Sequence, residues 1–246
     1  MCIYNGKYKM RRDYPWLPYE NRVFSQNRED GIIEKLCGFL QQPNCLAIEI
    51  GSSDGVQNMI HNMIEHHNYH GIGHDLITQT WEHSNYTHIQ GPIQLDNLQL
   101  TVEKWPRLDP DFFSLDIDSY DFWVLKKLLY EFDFRPSIMC IEYLGYYGPE
   151  QVCSVKSDLY RYRNYKCGAS LSAFKQLTQR FGYEFFTCDT MGVNCFFYLP
   201  DRMNNVEAIQ QLPTHAWACY PRYQDLVIDP ADPQIEFDQQ KLLDHE

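Results

Sequence analysis

The chain has 246 residues, a hydrophobic content of 44% and a formal net charge of −12 at pH 7. This length can bury one substantial core but is too short for two full domains with linkers. The acidic balance argues against a protein that binds nucleic-acid polymers by neutralising their phosphates. No apolar run approaches the roughly 18 residues of a membrane span, no secretory apolar segment follows Met1, and the nine cysteines form no C-x-x-C pair. We therefore expect a cytoplasmic protein with reduced thiols and without membrane or nucleic-acid partners, and the sequence leaves its oligomeric state open.

Short apolar runs alternate with segments of helical periodicity along most of the chain. We predict an N-terminal arm or lid over residues 1–23, an α/β domain over 24–200 and a C-terminal extension over 201–246. In chain order, the predicted elements are a helix (26–40), a strand (45–50), a helix (56–67), strands (69–74, 87–93 and 112–117), a helix (121–132), a strand (137–142), a helix (170–181) and a hairpin (183–187 with 195–199). This order predicts an α/β fold with a mostly parallel seven-stranded sheet and a C-terminal antiparallel hairpin.

A glycine-rich turn follows the first predicted strand. Gly51 allows the backbone to turn and to approach a ligand closely. The turn contains neither G-x-G-x-x-G nor the lysine of a phosphate-binding loop. Glu49 and Asp54 flank it instead, and carboxylates there would repel a pyrophosphate but suit a ligand that presents ammonium, sulfonium and ribose hydroxyl groups. S-adenosylmethionine is such a ligand, and we predict that Glu49, Gly51 and Asp54 bind it.

A second acid supports this assignment. Asp75 lies at the end of the second predicted strand, where an acid about 20 residues beyond a glycine loop accepts the ribose hydroxyls in doubly wound folds. The alternative is that Asp75 is an exposed turn residue. His74 is adjacent to it and is predicted to contact the adenosine.

Six segments of the chain occur in an order that is typical of one enzyme family. They are FSQNREDG (24–31), EIGSSDG (49–55), DFFSLDID (111–118), IEY (141–143), GASL (168–171) and GVNCFF (192–197). Over residues 24–198 the chain resembles the FkbM-type branch of class I methyltransferases. The resemblance implies a Rossmann-like fold with helices on both faces of the sheet and S-adenosylmethionine as methyl donor. It also implies Gln26 at the cofactor site and O-methylation of a sugar or natural product. The family commonly has glycine where Ser119 stands.

Acids at several predicted strand ends should meet at one edge of the sheet. Like charges raise each other's pKa unless a cation compensates, and Mg²⁺ held by Asp116, Asp118, Asp121 and Glu142 is the simplest compensation. A neutral hydroxyl must lose its proton to be methylated, so we expect Asp116, and after it Asp118, to act as general base or through the metal. Asp116 also borders the predicted cofactor site. The alternative is that Asp118 and Asp121 cap the next helix.

The loop after the fifth strand is predicted to bind the acceptor. Tyr143 and Tyr146 belong to a tyrosine-rich segment that could contact substrate or form a packed lid. Arg161 and Arg163 precede Ser170 and the amides of a helix start, a combination that suits phosphate. We therefore predict an acceptor that carries phosphate or a nucleotide-linked sugar, as in glycan or capsule biosynthesis. The alternatives are solvated arginines and an ordinary helix cap at Ser170.

Three other interpretations remain open from the sequence. Glu65, His66, His70 and His74 have near-helical spacing that could suggest zinc, although glycines between the histidines interrupt the helix. A nucleotide-dependent oxidoreductase could use a similar sheet, although it would need a glycine motif that is absent. A non-catalytic binding protein could also have this fold.

Overall fold

The computed structural model describes residues 15–157, 168–219 and 234–244, and the following element bounds refer to those residues. The α-helices are α1 (Glu29–Cys37), α2 (His61–His67), α3 (Leu98–Val102), α4 (Asp121–Glu131), α5 (Leu171–Gln179), α6 (Val206–Gln210) and α7 (Gln239–Leu243). The strands are β1 (Leu46–Ile50), β2 (His70–Asp75), β3 (Tyr86–Gln90), β4 (Phe112–Leu115), β5 (Ile138–Glu142), β6 (Ser154–Val155), β7 (Glu184–Cys188), β8 (Asn194–Tyr198) and β9 (Ile235–Glu236). None of these helices combines the length and the apolar character needed to cross a lipid bilayer.

Seven strands form one sheet in the order β3-β2-β1-β4-β5-β8-β7. The first five of these are parallel, and β8 runs antiparallel to both β5 and β7. The chain moves from β1 outward to β3 and then returns to place β4 on the other side of β1. The predicted Rossmann-like fold is confirmed, and the junction between β1 and β4 is the place where open α/β sheets bind ligands.

Apolar side chains cover both faces of the sheet. All five residues of β1 are buried, as expected of a central parallel strand. Ile48 and Ile50 pack with α3, α4, α5 and α7 on one face, whereas Ala47 packs with α1, α2 and α6 on the other. Burial of each large apolar side chain contributes about 1.5–3 kcal/mol. The strand ends are therefore held in place by a core on each side.

The helix after the glycine turn begins at His61 and not at the predicted Val56. The carboxylate of Glu49 accepts hydrogen bonds from the amide of Met59 at 3.0 and 3.1 Å, and Asn58 Oδ1 accepts from the His61 amide at 2.8 Å. These side chains satisfy amide groups at the start of α2, so the preceding residues remain a loop.

The C-terminal extension packs onto the domain. Strand β9 pairs with β6, with Ile235 opposite Val155. Leu242 and Leu243 of α7 are buried in the same cluster as β1 and α4. The described parts of residues 201–246 thus contribute to both faces of the sheet, α7 to one and α6 to the other.

Candidate functional site

The ends of β1, β2 and β4 converge on the glycine turn. Gly51 has φ +89°, and a Cβ atom there would lie 1.5 Å from the carbonyl oxygen of Asp116. The Gly51 amide donates to the carbonyl of His74 at 2.8 Å, and the Asp116 amide donates to the carbonyl of Ile50 at 2.9 Å. This position therefore requires glycine, both for its positive φ and for the close approach of β4.

A cavity of about 440 Å³ opens where these strand ends meet. Its described lining includes three carboxylates and neither lysine nor arginine. It is lined by Gln26, Gly51, Ser53, His74, Asp75, Leu76, Ile77, Gly91, Pro92, Ile93, Gln94, Asp116, Ile117, Asp118, Ser119 and Tyr120. Such a lining suits a ligand with cationic groups and hydrogen-bond donors better than one with phosphates.

Asp75 lies at the tip of β2 and lines the cavity. Its Oδ2 accepts from the Ser53 amide at 2.7 Å and its Oδ1 from the Ile77 amide at 2.9 Å. Each carboxylate oxygen can accept more than one hydrogen bond. Asp75 therefore orders the turn and retains acceptor capacity toward the cavity.

His74 is buried beside Asp75 and also lines the cavity. Its Nε2 lies 3.0 Å from the carbonyl oxygen of Gly91, and a carbonyl can only accept, so Nε2 carries the proton. Burial lowers the pKa of His74, which favours the neutral ring with a bare lone pair on Nδ1. That buried nitrogen has no hydrogen-bond partner among the residues that the structure describes.

The loop before α1 brings Gln26 to the cavity. Oδ2 of Asp30 accepts from the amides of Val23, Phe24 and Ser25 at 2.8–2.9 Å and from the Ser25 hydroxyl at 2.8 Å. The loop is thus wrapped around one buried carboxylate. Gln26 is the member of this loop that lines the cavity.

Three acids form a cluster at the ends of β4 and β5. Asp116, Asp118 and Glu142 each offer an oxygen atom, and these atoms lie within 4.8 Å of one another. Burial, with repulsion from Asp121 and Asp118, raises the pKa of Asp116 to about 7, and burial beside Asp116 raises the pKa of Glu142 well above its usual value. Because ionising both groups this close together costs free energy, the raised pKa of Glu142 favours a proton on that side chain. Oxygen ligands at this spacing are also of the type that holds a hard divalent cation.

Two predicted cofactor residues lie outside the lining of the cavity. Glu49 is buried against the start of α2, where it binds the Met59 amide, and burial raises its pKa to about 8. Asp54 accepts from the Val56 amide at 3.1 Å and from the Thr80 hydroxyl at 3.0 Å. Both acids brace the loops around the cavity, so their predicted contact with the donor is not supported.

Asp121 and Ser170 are engaged with the backbone. Asp121 is fully buried and accepts from the amides of Ile117 at 2.8 Å and Ser119 at 3.1 Å, and it is not a member of the acid cluster. Ser170 Oγ accepts from the Ala173 amide at 3.1 Å as the N-cap of α5. These contacts favour the capping alternatives over a metal ligand and a substrate contact.

The tyrosines after β5 pack inside the protein. Tyr143 is 1% exposed, and its hydroxyl donates to the carbonyl of Ala218 at 2.6 Å while it accepts from the Ala218 amide at 3.2 Å. Tyr146 is also buried, with its ring 4.4 Å from that of Tyr147. These contacts favour the packed-lid alternative. Arg161 and Arg163 lie outside the described residues.

The histidines considered for zinc are not brought together. His66 and His70 are exposed, whereas His74 is buried at the cavity. Within the part of the chain that the structure describes, the acid cluster is the group with metal-ligand spacing.

The apolar rim of the cavity, formed by Leu76 and Ile77, was not among the residues predicted from the sequence. Leu76 and Ile77 follow Asp75, line the cavity and are 66% and 53% exposed. Two exposed apolar residues directly after a strand-end acid were the available signal, because exposed apolar pairs often mark binding surfaces. Gln94 and Tyr120 carried no comparable signal.

Comparisons with known proteins give only distant structural similarity. No family model matches the chain, and no curated protein is similar to it. A candidate O-methyltransferase from Nostoc punctiforme is 13% identical over 70% of this chain and 56% of its own, with a TM-score of 0.43. A candidate O-methyltransferase from Klebsiella pneumoniae is 12% identical over 74% of this chain and 83% of its own (TM-score 0.41). A short chain dehydrogenase family protein from Francisella tularensis is 14% identical over 56% and 62% (TM-score 0.34). The chain spans 56% of the length of the Nostoc protein, and similarity at this level carries no inference about activity.

Proposed function

We propose that the protein is an S-adenosylmethionine-dependent methyltransferase that methylates a hydroxyl group of a small molecule. The observation that carries the proposal is the carboxylate-lined cavity at the β1/β4 junction, directly beside a glycine turn. Asp75, Asp116 and Asp118 provide negative charge there, and no described lining residue offers a positive side chain to a pyrophosphate.

The groups that line the cavity fit the hydrogen-bond donors of S-adenosylmethionine. Its ammonium and ribose hydroxyls need acceptors, which the carboxylates and the Gln26 amide oxygen supply. Its adenine carries one exocyclic amino group, and His74 Nδ1 is a buried acceptor that lacks a partner within the described part of the chain. An unpaired buried acceptor is costly, so a ligand that supplies a donor gains affinity. Leu76 and Ile77 offer an apolar surface to the base.

Asp116 is the proposed general base. When bound, the donor supplies a methyl group on a positively charged sulfur. Asp116 lies at the cavity wall, and its pKa of about 7 suits a group that must accept a proton near neutral pH. A carboxylate oxygen of Asp116 would accept the proton of the acceptor hydroxyl, and Asp118 would hold the acceptor beside it.

For the acceptor we propose a sugar hydroxyl on a phosphate-bearing or nucleotide-linked molecule, within glycan or capsule biosynthesis. The support is the sequence, in which Arg161 and Arg163 precede the α5 helix. Replacing both arginines by alanine should raise the acceptor's KM and leave donor affinity unchanged. Wild-type turnover by the double variant would instead indicate a neutral acceptor.

We also propose that the acid cluster binds Mg²⁺. Asp116, Asp118 and Glu142 would hold it, and it would lower the pKa of the acceptor hydroxyl. An excess of EDTA should abolish turnover and leave donor binding intact. Full activity in EDTA would leave Asp116 as base and remove the metal.

Calorimetry with S-adenosylhomocysteine, S-adenosylmethionine and NAD tests the main proposal. We expect the first two to bind and NAD not to bind. Tight binding of NAD without a response to the sulfur compounds would favour the oxidoreductase alternative. Binding of S-adenosylmethionine without methyl transfer to any extract component would favour a non-catalytic binding protein.

A further inference from the structure

His61 is sandwiched between two aromatic rings. Its ring centroid lies 3.7 Å from that of Phe24 with the planes 4° apart, and 3.9 Å from that of Trp81 with the planes 28° apart. His61 is buried although it lies on a surface helix. Its Nδ1 lies 2.9 Å from the carbonyl oxygen of Val56. Because that carbonyl only accepts, Nδ1 carries the proton and donates.

The three partners of His61 belong to three different loops. Phe24 is in the Asp30-anchored loop that brings Gln26 to the cavity. Val56 is in the loop that continues the glycine turn. Trp81 is in the loop between β2 and β3, which begins with the cavity residues Leu76 and Ile77.

Further contacts tie these loops to one another at the same place. The Trp81 and Thr80 amides donate to the carbonyl of Asp54 at 3.4 and 2.9 Å. The rings of Trp81 and Tyr86 lie 4.9 Å apart, which extends the stack to β3. Each loop is thus connected to His61 by a direct contact and supplies, or directly continues into, a wall of the cavity.

We propose that His61 is a positioning residue that holds two walls of the donor cavity in register through its stacked ring, with the Nδ1 hydrogen bond to Val56 joining the third wall to them. This inference rests on the proposed methyltransferase function for its ligand. It does not place His61 in contact with the donor, because His61 is absent from the cavity lining. The imidazole acts indirectly, through its contacts with Phe24, Val56 and Trp81.

The stacked ring is the element that matters in this arrangement. A flat ring can stack in parallel on aromatic rings at both of its faces, whereas a branched aliphatic side chain has no planar face for such stacking. Loss of the stack should therefore let the Gln26 loop and the Leu76–Ile77 segment move independently. A ligand that needs both walls then binds less tightly, because ordering the loops now accompanies binding.

Matched variants of the full-length protein separate the ring from the volume. His61→Phe keeps a flat ring, His61→Leu keeps apolar volume without one, and His67→Ala alters an exposed histidine of the same helix. The probe is S-adenosylhomocysteine, measured by calorimetry. We expect about tenfold weaker binding for His61→Leu, and binding close to that of the wild type for His61→Phe and His67→Ala.

Hydrogen exchange gives a readout that does not need the ligand. In His61→Leu, amide exchange should rise in both residues 21–28 and residues 76–83, while α4 remains as protected as in the wild type. His61→Phe should restore protection in both segments. Unchanged exchange in either segment of His61→Leu, or a His61→Phe variant that behaves like His61→Leu, would overturn the proposal.

The calorimetry and the hydrogen-exchange experiment together also distinguish the role of His61 from the proposed function. If the wild type does not bind S-adenosylhomocysteine, the methyltransferase proposal fails, and the exchange experiment alone decides the role of His61. If the wild type binds and His61→Leu binds equally well with both loops protected, the function stands and the positioning role is wrong.

Discussion

Acids occupy two regions around the glycine turn, and the two regions use them differently. In the cavity, Asp75 and Asp116 face the space where a ligand would lie. Behind it, Glu49 and Asp121 are buried with their oxygens directed at backbone amides. An acid in a cofactor-loop motif can therefore serve to build the loop, because buried backbone amides need hydrogen-bond acceptors just as a ligand does.

The largest expected effect concerns pH and Glu49. Burial raises its pKa in the folded protein from 4.5 to about 8. The unfolded chain releases this proton near pH 4.5, whereas the folded chain keeps it to about pH 8, so unfolding releases a proton between these values. The contribution of the Glu49 proton to the free energy of unfolding is therefore fully present below pH 4.5. It is lost as pH rises to about 8, by on the order of a few kcal/mol in total.

Urea unfolding of the wild type and of Glu49→Gln at pH 5, 6.5 and 8 measures this effect. The free energy of unfolding of the wild type should fall relative to that of the variant as pH rises. If the free energies of unfolding of the two proteins instead change in parallel with pH, Glu49 is ionised in the folded protein and its pKa is not raised by burial.

Asp121 and Asp118 allow a matched comparison between the two regions. Asp121→Asn replaces one of two acceptor oxygens with a donor group, in a buried turn where both oxygens bind amides. We expect a loss of about 2–3 kcal/mol in the free energy of unfolding. Asp118 is exposed with φ 55°, a conformation that asparagine tolerates, so Asp118→Asn should change stability by less than about 0.5 kcal/mol.

Thermal and urea unfolding of both variants would check this contrast. Equal losses would mean that Asp118 also supports the turn. Equal tolerance would mean that the Asp121 hydrogen bonds add little, and Asp121 would return as a candidate metal ligand.

The framework of the fold was predictable because its signals are local. Short apolar runs gave β1, β4 and β5, and helical periodicity gave α4 and α5 within one or two residues of their ends. The position of β8 between β5 and β7 depends on pairing across the chain, and the pairing of β6 with β9 involves segments 80 residues apart, so neither was visible in a local pattern.

The site was predictable in part, for a similar reason. Strand-end rules correctly brought Gly51, Asp75 and Asp116 to one cavity. They could not separate these residues from Glu49 and Asp54, because the direction of a side chain depends on the loop that follows. The buried tautomer of His74 and the stack around His61 depend on contacts between distant segments.

The affinity for S-adenosylhomocysteine should depend on the acid that lines the cavity and not on the acid buried behind it. Asp75→Asn should weaken S-adenosylhomocysteine binding by about 1.5 kcal/mol, the lower range for a hydrogen bond to a charged group. Glu49→Gln should leave affinity unchanged, because Glu49 lies outside the cavity lining. Calorimetry on both variants decides. A larger loss in Glu49→Gln than in Asp75→Asn would reverse the assignment of the two acids.

The smallest expected effect concerns Mg²⁺ at the acid cluster. A cation that binds only the folded protein adds about 0.4 kcal/mol of stability when its concentration equals its Kd, and more above it. At pH 8 Asp116, with a pKa of about 7, is ionised, so the cation does not have to displace its proton. We expect MgCl₂ to raise the thermal midpoint of the wild type slightly at pH 8 and less at pH 6, with Asp118→Asn reducing the gain. Because Asp118→Asn should leave stability itself nearly unchanged, a loss of the Mg²⁺ response in that variant would report the ligand role alone. An identical response in both proteins would assign the effect of Mg²⁺ to general screening of an acidic surface, and the raised pKa of Glu142 would then be the compensation for the clustered charges.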